Sequence, residues 1–247
     1  MIDHKPNPKE FYDSVMPGKL GKNYEATRWK KTSFLAAQYR MMTDVLNRLI
    51  IPNVRQVRRV LEVGPGPGTW TKLLLEANPT AQYTLVDISR EMLAQAREAL
   101  AGRANVAFVE SNLLAFEAPQ SFDFFFSSRA IEYMPDKSAA VRKIASLLVP
   151  GAYGAIVTKM PKPLFDRLRG RPFRALHGAQ IGPTALARLL RNNGLVIERI
   201  RIATATMPLI GSAPFNEFAY RFLKHFPLFS PFTFFAESYL IIFRKPL

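Results

Sequence analysis

From Val57 to Val157 the chain alternates short β-rich runs with amphipathic helical stretches, and this rhythm limits its fold more than any other feature. Val57–Val63, Tyr83–Val86, Val106–Val109, Phe122–Phe126 and Tyr153–Val157 read as five strands. Thr69–Ala77 reads as a helix stopped by Asn78-Pro79. Ser89 is placed to cap a helix over Arg90–Leu100, whose Met92, Leu93, Ala96 and Leu100 share one face. Asp136 is placed to cap a third, carrying Val141, Ile144, Leu147 and Leu148 up to Pro150-Gly151. Such alternation predicts a parallel sheet with helices on both faces. Further on, Pro183–Asn192 reads as a helix ended by Asn193-Gly194, and Leu195–Ile202 and Tyr239–Phe243 as two more strands, seven in all.

Composition narrows the class. The 247 residues are 48% hydrophobic, which is globular usage and excludes disordered or collagen-like chains. The chain holds no cysteine, so thiolate nucleophiles, zinc ribbons and iron–sulfur clusters are excluded together. No stretch reads as a signal peptide or a membrane span, which predicts a cytoplasmic protein. The net charge is +15, and its distribution is uneven: +7 over residues 1–59, −2 over 60–158, +5 over 159–182 and +5 over 183–247. A slightly acidic centre with basic flanks points to an anionic partner met by the flanks.

The loop after the first strand, Glu62-Val63-Gly64-Pro65-Gly66-Pro67-Gly68-Thr69, sets the ligand class. Its glycines let backbone turn tightly beside a ligand. Thr69 stands where a dinucleotide fingerprint needs its third glycine, and the Gly-Lys-Ser/Thr of a P-loop is absent. Pro65 and Pro67 lack N–H groups, which makes a poor phosphate cradle. A nucleoside without a pyrophosphate fits better, with Asp87 at the end of the second strand placed to accept from both ribose hydroxyls.

In these residues the chain resembles the class I S-adenosylmethionine-dependent methyltransferases. Val60–Gly68 is similar to their first motif, Leu85–Ser89 to the second, Glu110–Leu113 to the third and Phe122–Tyr133 to the fourth, with Leu147–Gly151 like the turn before the fifth strand. Asn112 departs from the pattern, because an aspartate is more usual there. The resemblance covers roughly residues 55–202 and the final strand, and it implies a Rossmann-like α/β fold. It implies further that Gly64, Gly66 and Gly68 pass beneath the methionine part of S-adenosylmethionine, and that Glu62 helps hold its amino group. Asp87 would take the ribose, Ile88 would pack on the adenine, and Asn112 and Leu113 would meet the adenine edge. Ser128 and Arg129 would lie beside the sulfonium and the substrate mouth.

Methyl transfer needs a base only when the acceptor enters protonated. Glu132 and Tyr133, after the fourth strand, and His177, in the basic insertion, are the candidate catalytic groups; the plainer alternative for His177 is a solvated loop residue. No metal site is visible. The fourth-strand motif, Ser127-Ser128-Arg129-Ala130, lacks the Asp/Asn-Pro-Pro-aromatic pattern that amino-methylating nucleic-acid enzymes share. Covalent cytosine methylation would need the absent cysteine.

The flanks complete the expectation. Residues 1–54 form a helical lid in which Tyr24, Arg28 and Trp29 are candidates to close over the cofactor; the alternative is that they only anchor the helix to the sheet. The remaining domain, 55–247, carries a basic insertion at 159–182 and an aromatic one at 206–237, the latter with 8 of the 19 phenylalanines. Phe215, Phe218, Phe222 and Phe226, with Arg221 and Lys224 between them, suit either a cap buried over the pocket or contact with an anionic bilayer. The expected function is methyl transfer to O or N of a hydrophobic, anionic or lipid-linked small molecule, with peripheral membrane association. An RNA methyltransferase and a non-catalytic S-adenosylmethionine-binding module are the alternatives.

Overall fold

The computed structural model describes residues 7–15, 29, 31–161, 180–206, 212–228 and 234–247. Seven strands form one sheet: β1 (Arg59–Val63), β2 (Gln82–Asp87), β3 (Val106–Glu110), β4 (Phe122–Ser128), β5 (Leu148–Lys159), β6 (Val196–Ala205) and β7 (Ala236–Arg244). Their order is β3-β2-β1-β4-β5-β7-β6. The first five are parallel, and β7 runs antiparallel between β5 and β6. The expected mostly parallel, seven-stranded, Rossmann-like architecture is the one found.

Burial explains the apolar runs. Phe124, Phe125 and Phe126 on β4 are all buried, as they must be in a strand covered on both faces. The main helices are α1 (Ser33–Val45), α2 (Thr69–Ala77), α3 (Arg90–Ala99), α4 (Lys137–Leu147), α5 (Pro183–Asn192) and α6 (Ala213–Leu223). Ser89 caps α3 by accepting from Met92 N, and Asp136 caps α4 by accepting from Ala139 N. After α1, a π-helical turn over Leu46–Ile50 leads into a short helix, Ile51–Val54. Ala37, Met41, Met42 and Val45 of α1 join the same apolar core as the sheet.

Two expectations need correction. Pro150-Gly151 does not separate a helix from a later strand, because β5 already starts at Leu148. The C-terminal residues enforce this: Gly151 N donates to Lys245 O (2.9 Å), and Lys245 Nζ donates to the carbonyls of Ala145 and Leu148 (2.9 and 2.7 Å). The phenylalanine stripe is not a buried cap either. α6 turns Asn216, Tyr220 and Leu223 inward, while Phe218 is 70% and Phe222 54% exposed. Its inner face is fixed to α1: Tyr220 Oη donates to Asp44 (2.8 Å), as does Lys224 Nζ (3.1 Å), and Arg40 Nε donates to Glu217 (2.6 Å).

Candidate functional site

Chain order reverses between β1 and β4, so the loops after these strands diverge and open a crevice at the C-terminal edge of the sheet. The crevice is a cleft of about 990 Å³. Its lining includes the glycine loop, Asp87, Ile88, Asn112 and Leu113, together with Trp29, Phe34, Leu35, Trp70, Ser128 and Arg129.

The glycines have separate jobs. Gly64 (φ +72°) lies so close to the turn after β4 that a Cβ on it would stand 2.3 Å from Ala130 Cβ. Gly66 (φ +55°) lines the cleft, and a Cβ there would meet nothing within 4 Å. Gly68 (φ +80°) faces away from the cleft toward Leu100 and Ala96, so it serves the entry into α2.

Two carboxyls sit at this end. Asp87 accepts from Gly66 N (3.2 Å) and Ser89 N (2.9 Å), and desolvation outweighs these bonds and pushes it up to about 6. Glu62 is buried beneath the loop and does not line the cleft. Thr71 Oγ1 donates to its Oε2 (2.8 Å), whereas Oε1 is buried without a hydrogen-bond partner. Burial, with some help from Asp87, pushes Glu62 up to about 8. An orphaned buried acceptor in native structure calls for a donor. These features fit S-adenosylmethionine: an ammonium for the Glu62 end, ribose hydroxyls for Asp87 and an uncovered glycine backbone between. At the adenine end Asn112 Oδ1 accepts from Leu114 N (3.0 Å), and the Asn112 amide nitrogen has no hydrogen-bond partner among the described residues.

The expected catalytic groups separate. Glu132 is fully buried and does not line the cleft; its carboxylate takes Arg129 Nε (3.2 and 3.1 Å), Thr158 Oγ1 (3.3 Å) and Lys159 N (3.1 Å). So placed, it supports Arg129 and is not positioned to take a proton from an acceptor. Tyr133 does line the cleft, and its hydroxyl is 2.9 Å from that of Tyr12. Trp29 reaches the cleft within an aromatic cluster, 5.4 Å from Trp70, which stacks on Tyr39 at 5.3 Å. His177, Tyr24 and Arg28 lie outside the described residues.

Sequence reasoning missed the segment 7–15. Asn7 caps a short helix, Pro8–Glu10, that continues as a π-helical turn over Phe11–Val15. Lys9 Nζ donates to Ile88 O (2.8 Å) and Glu110 (2.5 Å), and Asp13 accepts from Ser89 Oγ (2.6 Å) and Glu91 N (3.3 Å). Asp13 is held below the usual carboxylate range: burial would raise it, but the Ser89 and Glu91 bonds and Lys9 outweigh that. The segment thus straps the ends of β2 and β3. The one available signal was Asn7-Pro8, an N-cap followed by proline at the first helical position.

Comparison with known proteins adds independent evidence. Residues 60–151 match the "Methyltransferase domain" family. A trans-aconitate 2-methyltransferase of Rhodopseudomonas palustris (strain BisA53) is 36% identical over 107 residues, 43% of this chain and 40% of that protein. One of Escherichia coli O139:H28 (strain E24377A / ETEC) is 31% identical over 128 residues, 52% of this chain and 48% of its own. The chain spans less than half the length of these curated relatives. The magnesium protoporphyrin IX methyltransferase of Synechocystis PCC 6803, solved with bound S-adenosylhomocysteine, superposes with a TM-score of 0.65 at 18% identity, over 96% of this chain and 97% of that one.

Proposed function

We propose that the chain is a class I S-adenosylmethionine-dependent methyltransferase that transfers methyl to an oxygen of a small anionic acceptor with an apolar body. The observation that carries this reading is the make-up of the cleft lining: glycine backbone and the Asp87 carboxyl on the one hand, aromatic rings and one guanidinium, that of Arg129, on the other.

When bound, S-adenosylmethionine supplies a sulfonium methyl that an acceptor takes by in-line displacement. The chain's contribution is placement and the exclusion of water. Asp87 would hold the ribose and Ile88, Asn112 and Leu113 the adenine, while Glu62, buried with Thr71 under the loop, would act on the amino end from beneath the cleft floor. Gly64 and Gly66 would keep the loop low enough for the ligand to lie over it, and Ser128 would face the reacting centre. Trp29 and Trp70, backed by Tyr39, would give the acceptor body an apolar wall. A carboxylate oxygen enters already deprotonated at neutral pH, so none of these groups has to remove a proton. The relatives named above are trans-aconitate 2-methyltransferases, and trans-aconitate is itself a carboxylate, which supports an oxygen acceptor over the nitrogen alternative.

A specific observation also favours work at a bilayer surface by a cytoplasmic enzyme: Phe215, Phe218 and Phe222 are exposed on one face of α6 beside Arg221. Lipid-linked acids then become candidate acceptors. No helix among the described residues is long and apolar enough to cross a membrane.

The test is calorimetric titration with S-adenosylmethionine, followed by transfer of labelled methyl to trans-aconitate, a panel of fatty acids, a lipid extract and total RNA. Binding that Asp87→Ala weakens severely, with label passing to an acid, is the expected result. Label passing to RNA alone would move the reading to the RNA alternative, and binding without any turnover would leave a cofactor-binding module.

A further inference from the structure

Arg129 is the one non-glycine residue with positive φ (+66°) among the described residues. A left-handed backbone costs an L-residue about 1–2 kcal/mol, so something must hold it there. Its amide donates to Val157 O (2.8 Å), continuing the β4–β5 ladder one step past Ser128↔Val157. The result turns the side chain out of the strand ladder at the point where β4 reaches the cleft. Glu132, three residues on, then takes the guanidinium by Nε alone, at 3.2 and 3.1 Å to its two oxygens. The other acceptor positions of that carboxylate are taken by Thr158 Oγ1 and Lys159 N, so Glu132 is satisfied and cannot swing away without losing four bonds.

Binding through Nε leaves the two terminal nitrogens. Neither Nη donates a hydrogen bond among the described residues, the side chain is 27% exposed, and Arg129 lines the cleft. An immobilised guanidinium with its Nη donors open presents a planar fork that matches a carboxylate. Among the described residues, the charged side chains about it include Glu132, Glu237 and Lys159, the last two 3.8 Å apart.

We infer that the Nη edge of Arg129 is the seat of the acceptor's carboxylate, and that Glu132 is the positioning residue that aims it. The inference rests on the methyl-transfer reading and deepens it by fixing the acceptor class and the residue that selects it. The competing source of the same chemistry is the carboxylate at the amino-acid end of the cofactor, and the experiment separates the two.

Protein saturated with S-adenosylhomocysteine is titrated with straight-chain carboxylates of four to twelve carbons and with the matching primary amides. At least one carboxylate is expected to bind about tenfold tighter than its amide, a preference of about 1.4 kcal/mol. Arg129→Gln should abolish that preference while changing S-adenosylhomocysteine affinity less than about threefold, which is under 1 kcal/mol. Glu132→Gln should weaken the carboxylate in the parent but add nothing in the Arg129→Gln background, where a purely structural role would still add its loss. Arg129→Lys, which keeps the charge but not the planar fork, should not restore the preference. Absence of any acid-over-amide preference overturns the inference while the methyl-transfer reading stands. A parallel collapse of S-adenosylhomocysteine affinity in Arg129→Gln also overturns it, by placing Arg129 on the cofactor. Failure of the parent to bind S-adenosylhomocysteine at all is the separate failure of the methyl-transfer reading.

Discussion

At the scale of single residues, the glycine loop makes two contrasting predictions. Gly64→Ala pushes a methyl into Ala130 and imposes a left-handed alanine, for a combined loss of about 2–4 kcal/mol in urea melts. Gly66→Ala carries only the backbone part, about 1–2 kcal/mol, yet its methyl enters the cleft, so S-adenosylmethionine binding should be lost from a folded protein. The carboxyls make a prediction in pH. Glu62 is raised from its ordinary 4.5 to about 8 in the folded state, so folding takes up a proton between those values. Its stabilising share is then complete below about 4.5, falls as pH rises and is gone above about 8. Asp87, raised to about 6, acts in the same sense over a lower window. Glu62→Gln should flatten the decline in cofactor-free stability from pH 5 to 8, as read by melts across that range. The left-handed turns at the loop glycines and the place of Asp87 at the end of β2 were legible because backbone conformation and spacing constrain residue type there. That Gly68 faces α3, and that Glu62 lies under the cleft floor, depends on packing that no local pattern encodes.

At the scale of elements, the N-terminal strap shows where legibility ends. Ser89 was readable as the cap of α3, but its second bond, to Asp13 across 76 positions, was not. A polar segment gives no periodicity to read, and its place is set by what it meets. The Lys9–Asp13 pair is partly exposed and worth roughly 0–1 kcal/mol. Asp13→Asn should therefore leave melting almost unchanged while releasing S-adenosylmethionine faster, by about threefold to tenfold or 0.7–1.4 kcal/mol, in stopped-flow displacement. Unchanged release would mean that the strap plays no part in retaining the ligand. β5 makes the same point from the other side. Pro150-Gly151 is a strong local stop signal, and long-range bonds from Lys245 override it. For α6 the 3.6-residue period was readable, but which face turns inward was decided by Asp44 and Arg40 on α1.

At the scale of the whole molecule, the charge is segregated: a centre of −2 over residues 60–158 is flanked by basic segments. The exposed phenylalanines of α6 lie in one of those flanks, and aromatic side chains beside cations are the composition of a surface that meets anionic lipid. The double variant Phe218→Ser, Phe222→Ser should lose sedimentation with phosphatidylglycerol vesicles and keep S-adenosylmethionine affinity, since no residue of α6 lines the cleft. Undiminished sedimentation would move the contact away from α6.

The place of β7 has one more consequence. Among the described strands β6 pairs with β7 alone, and β7 also covers the free edge of β5, although thirty residues separate the end of β6 from the start of β7. A growing chain that has produced β6 therefore holds two unsatisfied strand edges at once. On β5 that edge carries the buried run Ala155-Ile156-Val157. Such an edge is a template for any extended chain nearby. The dangerous interval in this protein's synthesis is thus the one between β6 and β7, and anything that slows translation there lengthens the time in which two nascent copies can pair by the wrong strand.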